Sequence, residues 1–176
     1  MKKHLKSIIT LTLVCAIVAV LLSAVNAVSA PIIEKRSKEE AEKALLQVMP
    51  NGKNFTKVED LSFAELDQTI TALYSEEGGG YIFEITTKGY ASGLVIMCGV
   101  DQNGVVTGAT CLASNETNKK ELTYGENFKN KTLEQVSEVD TIASSTKTTS
   151  AYKNAVKVAV NAALTLKENK GGTANE

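Results

Sequence analysis

The chain has 176 residues, enough for one domain of ordinary size plus a membrane segment. Its net charge of −1 excludes a basic nucleic-acid-binding surface. One histidine, His4, and three cysteines, Cys15, Cys98 and Cys111, argue against histidine catalysis and exclude a four-cysteine zinc or iron–sulfur site. A chain so poor in catalytic side chains does redox or binding work best through a borrowed cofactor.

Lys2, Lys3, His4 and Lys6 precede an uncharged run from Ser7 to Ala30. At about 1.5 Å per residue, a helix of that length crosses roughly 30 Å of hydrocarbon. The basic flank belongs in the cytoplasm, so the remainder is expected on the outer face of the inner (plasma) membrane. The favoured reading is a retained single-pass anchor within residues 1–30. A cleaved signal peptide is the rival, since Val28-Ser29-Ala30 has the small residues of a cleavage site. Pro31, directly after that bond, counts against it.

Ser37 to Val48 reads as a helix, with a capping-box spacing from Ser37 to Glu40. Ala41, Ala44, Leu45 and Val48 share one apolar face, and Pro50-Asn51-Gly52 ends it. Short strands are expected between Phe55 and Ile70 and at Leu73–Ser75, before the turn Glu76–Gly80. Tyr81–Lys88 is β-branched and aromatic, hence a strand. Gly89-Tyr90-Ala91-Ser92-Gly93 is a glycine-bounded loop. Leu94–Val100 and Val105–Ala113 form a hairpin around Asp101-Gln102-Asn103-Gly104. Cys98 and Cys111 fall on one side of that hairpin but offset, so they are expected to be free, buried and small rather than disulfide-bonded. Ser114 to Gly125 is a polar loop, and Phe128–Val136 is a short amphipathic segment.

Val139 to Ser150 is a hydroxyl-dense loop before a helix whose apolar residues, Ala155, Val156, Ala159, Val160, Ala163, Leu164 and Leu166, recur at three and four. Thr148, Thr149 and Ser150 are N-cap candidates. A helix N-terminus here offers free N–H groups and a positive dipole end, which suit a phosphate. From Glu168 onward the chain reads as a disordered tail.

The order Asp140-x-x-Ala143-Ser144-Ser145-Thr146-x-Thr148 resembles the flavinylation motif of the FMN-binding domain family. That motif runs Asp, two residues, Ser or Thr, Gly, Ala, the flavin-bearing Thr or Ser, one residue, and Thr. Asp140, Thr146 and Thr148 match it. Ala143, Ser144 and Ser145 differ from it but are small, which leaves room for close approach. A positive φ at Ser144 would strain the serine, where glycine would be free. The block Tyr81–Ala113, with its glycine-tyrosine loop before the hairpin, is similar to the family's domain core, and Glu116-Thr117 to the start of its Glu-Thr-Pro-Gly-Leu-Gly loop. Val25-Asn26 with the following Pro31 is similar to the end of the anchor in the G subunit of Rnf-type complexes.

The resemblance implies an α+β fold: a transmembrane helix, then an FMN-binding domain with an antiparallel sheet and flanking helices. Residues 31–50 would be a connecting helix, 51–168 the domain and 169–176 the tail. It implies covalent FMN on Thr146, with Ser144, Ser145, Lys147, Thr148, Asp140, Glu116 and Thr117 around it. It also implies a flavin transferase for maturation and partner subunits in an ion-translocating ferredoxin:NAD⁺ oxidoreductase. A stand-alone extracellular flavoprotein and a cofactor-free, membrane-tethered binding module are the alternatives.

Overall fold

The computed structural model describes residues 11–23, 41–59 and 66–172, with side chains as far as Asn169. The chain divides into two units, Met1–Glu42 and Lys43–Glu176. In the first, residues 11–23 are helical, and Leu11, Leu13, Val14, Ile17, Val18, Val20, Leu21 and Leu22 are exposed. No described helix is long and apolar enough to cross a membrane. The rest of the expected anchor, and the Ser37–Glu40 cap, lie outside the described residues.

The second unit carries a five-stranded antiparallel meander, β1 (Thr56–Lys57), β2 (Ile70–Ser75), β3 (Tyr81–Lys88), β4 (Ser92–Val100) and β5 (Val106–Ala113), in that spatial order. Alternation along the strands sends side chains to two faces. Tyr81, Phe83 and Ile85 of β3, with Leu94, Ile96, Cys98 and Val100 of β4, join the main core. Ile82 and Met97 point the other way, into a smaller cluster with Leu45, Val48 and Met49 from the end of helix α1 (41–48). Thr107 fixes that end by donating to Val48 O at 2.6 Å.

After β5 come α2 (Glu121–Tyr124), a 3₁₀ turn (Gly125–Phe128), α3 (Leu133–Glu138) and the long α4 (Thr146–Gly172). Tyr152, Ala155, Val156, Ala159, Val160, Ala163 and Leu166 of α4 pack into the main core with the sheet. Tyr124, Phe128 and Tyr152 form an aromatic cluster, with Phe128 and Tyr152 stacked at 5.7 Å and Tyr124 edge-on to both. The hairpin turn is secured by Asp101, whose carboxylate accepts from the N–H groups of Asn103 and Val105.

Three departures from the sequence reading bear on the site. Ser114–Gly125 is a loop only to Lys120, because Glu121, Tyr124 and Phe128 turn inward at helical spacing. Helix α4 begins at Thr146 rather than Ser150, so Thr148 and Thr149 lie in its first turn instead of capping it. The early start follows from Ser145, whose carbonyl accepts the Thr149 N–H at 2.9 Å and thereby holds the cap position. Finally, α4 continues past Glu168 to Gly172.

Candidate functional site

The turn before α4 is built by Ser144 and Thr149. Ser144 adopts φ 67°, the left-handed conformation, and reverses the chain so that Ser145 N–H reaches Ile142 O at 3.0 Å. The Thr149 hydroxyl accepts from Ile142 N–H at 3.2 Å and donates to Ser145 O at 3.0 Å. Both halves of this hydroxyl are thus used, and Thr149 is fully buried. The Thr148 hydroxyl is committed too, donating to Glu116 Oε2 at 2.7 Å. Thr146 differs: it is exposed, and its hydroxyl has one long contact, 3.5 Å to Ile142 O. It is the exposed, weakly bonded hydroxyl of the first turn, next to N–H groups that have no acceptor within the helix.

Thr146 sits on the wall of a cleft of about 480 Å³, lined by Tyr90, Glu116, Thr117, Asn118, Glu121, Ser144, Ser145, Lys147 and Thr148. That volume lies in the range of small-molecule and cofactor sites. Three segments meet there, and Glu116 joins them. It is 5 % exposed, and its Oε1 accepts from Ala91 N–H at 3.0 Å while Oε2 holds Thr148. Gly89 lies directly against Glu116 Oε1 and the Thr148 backbone, so no side chain fits at that position. The Glu116 N–H donates to Ser114 Oγ, and Ser114 Oγ donates to Glu121 Oε1 at 2.5 Å. Asn118 Nδ2 binds Ser144 O at 3.0 Å, tying this loop to the α4 turn.

The mouth of the cleft is cationic and aromatic. Lys120 Nζ lies 3.4 Å from Ser144 Oγ. Lys147 Nζ stands 5.9 Å from the centroid of the Tyr90 ring, which is 71 % exposed. Lys147 and Tyr90 line the cleft with Thr146, and Lys120 reaches its edge at Ser144, so an anionic group and a flat ring system both have complementary side chains there. In the main core, burial pushes the Cys98 thiol up to about 12. Burial, followed by the nearby Glu121 carboxylate, pushes Cys111 up to about 11. Both thiols are free.

Of the residues expected from the sequence, Thr146, Ser144, Ser145, Lys147, Thr148, Glu116 and Thr117 line one cleft. Asp140 is not among them. It borders a separate surface hollow with Tyr124, Lys131 and Glu138, and its carbonyl accepts from the Tyr124 hydroxyl at 2.9 Å. The sequence reading missed Tyr90, Asn118 and Glu121 as cleft residues. Tyr90 had a signal, its place in the glycine-bounded loop. Asn118 and Glu121 had none, since their meeting with α4 depends on tertiary folding.

Residues 89–161 match the sequence profile of the FMN-binding domain. This stretch is therefore similar to the FMN-binding domain. The match runs from the Gly89 loop into α4 and takes in every residue that lines the cleft. It supports FMN as the cofactor and electron transfer as the role. No curated protein matches the chain.

The residues present fit FMN: an exposed hydroxyl and two lysines for the phosphate, an exposed aromatic ring for the isoalloxazine, and hydrogen-bonding side chains between them. Among the described residues no group of histidine, cysteine, aspartate or glutamate could hold a metal ion.

Proposed function

We propose that this chain is a membrane-anchored flavoprotein electron carrier whose FMN is joined through its phosphate to Thr146 Oγ. The observation that carries the attachment is the contrast in the first turn of α4. Thr148 and Thr149 are buried with their hydroxyls bonded inside the protein, while Thr146 is exposed on the cleft wall. A phosphodiester there keeps about one negative charge, which the helix N-terminus favours. Lys120 and Lys147 add to that field, and Tyr90 offers a face to the ring. The flavin, once bound, supplies the electron chemistry. The chain positions it and prevents its loss from the outer membrane face. A separate flavin transferase installs it.

In this reading the residues from Ile32 onward are extracytoplasmic. The basic flank and uncharged run support that topology, as does the row of exposed apolar side chains on 11–23. The working role is a relay subunit of an Rnf-type, ion-translocating ferredoxin:NAD⁺ oxidoreductase, passing electrons without binding NAD itself. The absence of a Gly-x-Gly-x-x-Gly fingerprint and the anchor resemblance support it.

The test is flavin fluorescence in a denaturing gel after co-expression with a flavin transferase. Wild type should fluoresce, Thr146→Ser should retain signal and Thr146→Ala should lose it. A fluorescent Thr146→Ala protein sinks the attachment. In membranes, Thr146→Ala should leave partner subunits assembled and cut ferredoxin-to-NAD⁺ electron flow. Unchanged flow in that flavin-free variant favours a stand-alone extracellular flavoprotein. A wild type that never binds flavin favours the cofactor-free tethered module. Labelling of an introduced cysteine near Asn175 in intact cells tests the topology.

A further inference from the structure

The flavin reading leaves one feature of the cleft unused, its two buried carboxylates. Glu116 is 5 % exposed and Glu121 is 1 % exposed, and both line the same cleft as Thr146. Both Glu116 oxygens act as acceptors, from Ala91 N–H and the Thr148 hydroxyl. Glu121 accepts from Ser114 Oγ, which also receives the Glu116 backbone N–H, so Ser114 ties the Glu121 side chain to the Glu116 backbone. The hydrogen bonds that satisfy them come from neutral donors. The nearby lysines are used elsewhere: Lys119 on Ser114 O, Lys120 on Ser144 Oγ, Lys147 over Tyr90.

Charge held in a dry wall is poorly screened, so it acts strongly on whatever occupies the cleft. Cationic groups stand at the mouth and anionic groups in the wall.

We propose that Glu116 and Glu121 lower the redox potential of the flavin held in this cleft, an inference that rests on the flavin reading above. Entry of two electrons and one proton adds one negative charge to the ring. The two carboxylates oppose that added charge and so disfavour the reduced form. They act as potential-setting groups, and Glu116 is in addition a positioning residue for Thr148.

The experiment is a dithionite titration of the full-length, flavin-loaded chain, in which dithionite supplies the electrons and water the proton. Glu116→Gln keeps an oxygen acceptor and removes the charge. Its midpoint should move to a more positive value, by roughly tenfold in the ratio of reduced to oxidised flavin at fixed potential, about 30 mV for a two-electron couple. Glu121→Gln should move it the same way, and it carries the test should Glu116→Gln fold poorly. Glu126→Gln, exposed and outside the cleft, should leave it unchanged. Loaded variants at both positions with the wild-type midpoint overturn the inference while the flavin reading stands. A wild-type chain that takes up no flavin overturns both.

Discussion

The Thr148 hydroxyl donates to Glu116 Oε2 at 2.7 Å, joining residues 32 apart in sequence. Through the other oxygen the same carboxylate holds Ala91 N–H, so one side chain ties the Gly89 loop, the loop after β5 and the start of α4. Truncation would strand the buried Thr148 hydroxyl and the half-buried Ala91 N–H. Each such loss costs about 1–3 kcal/mol, more than the net worth of an average hydrogen bond. Glu116→Ala should therefore lower unfolding free energy by about 2–4 kcal/mol. Thr148→Val should cost about 1–3 kcal/mol by the same reasoning. The double variant should lose clearly less than the sum, because the two residues share one bond. Urea denaturation of the four proteins in detergent checks this, and strict additivity would refute the strut.

Ser144 sits at φ 67°, where the FMN-binding motif has glycine. A residue with a Cβ is disfavoured there by about 1–2 kcal/mol. Glycine removes that strain but gives back about 0.5–1 kcal/mol through the freedom of the unfolded chain. Ser144→Gly should thus raise stability, by up to about 1 kcal/mol. Ser144→Val, β-branched at the same φ, should lower it. A Ser144→Gly protein that melts earlier than wild type contradicts the strain.

Thr146 and Thr149 should separate attachment from folding. The Thr146 hydroxyl is exposed with a single 3.5 Å contact, so Thr146→Ala should shift stability by no more than about 0.5 kcal/mol. The buried Thr149 hydroxyl caps Ile142 N–H and binds Ser145 O, so Thr149→Val should cost about 1–3 kcal/mol. Measuring both in flavin-free protein isolates the fold. A large loss for Thr146→Ala would give that hydroxyl a structural task.

How far these features were legible depends on where their causes lie. Strand β3 coincides with the Tyr81–Lys88 reading because alternation and β-branching are local. The hairpin reading held for the same reason, and its register puts Cys98 opposite Ala109 and Cys111 opposite Ile96. That is the expected same-side, offset placement, with both thiols free. The start of α4 was misjudged because three hydroxyl residues look alike as caps. Only the turn at Ser144 decides between them. Helix α2 was hidden by Glu121, a carboxylate at an inward position, which periodicity counts as polar. Asp140 matches the motif in sequence yet lies outside the cleft, since the turn at Ala143–Ser144 separates it from Thr146. The Glu116–Thr148 bond was illegible, being a contact between distant segments.

Alkaline stability tests the buried interior. Cys98 is raised from 9.0 to about 12, and Cys111 from 9.0 to about 11, chiefly by burial. Burial also raises the Tyr152 hydroxyl, which has no hydrogen-bond partner among the described residues. The sign follows from linkage: in the unfolded chain the thiols ionise near 9, while in the folded chain they stay protonated. Their contribution is therefore fully present below about pH 9 and is lost as pH rises toward 11–12. Urea midpoints in detergent should be flat from pH 7 to about 8.5 and fall steeply above it. Cys98→Ala should be less stable than wild type at pH 8, because it leaves a small void. It should nevertheless fall less steeply between pH 9 and 11, having no thiol there to ionise. A thiol reagent at pH 8 should label Cys98 only on unfolding. An unchanged alkaline slope in Cys98→Ala would mean that this thiol does not govern the loss, leaving Cys111 and Tyr152 as the groups to replace next.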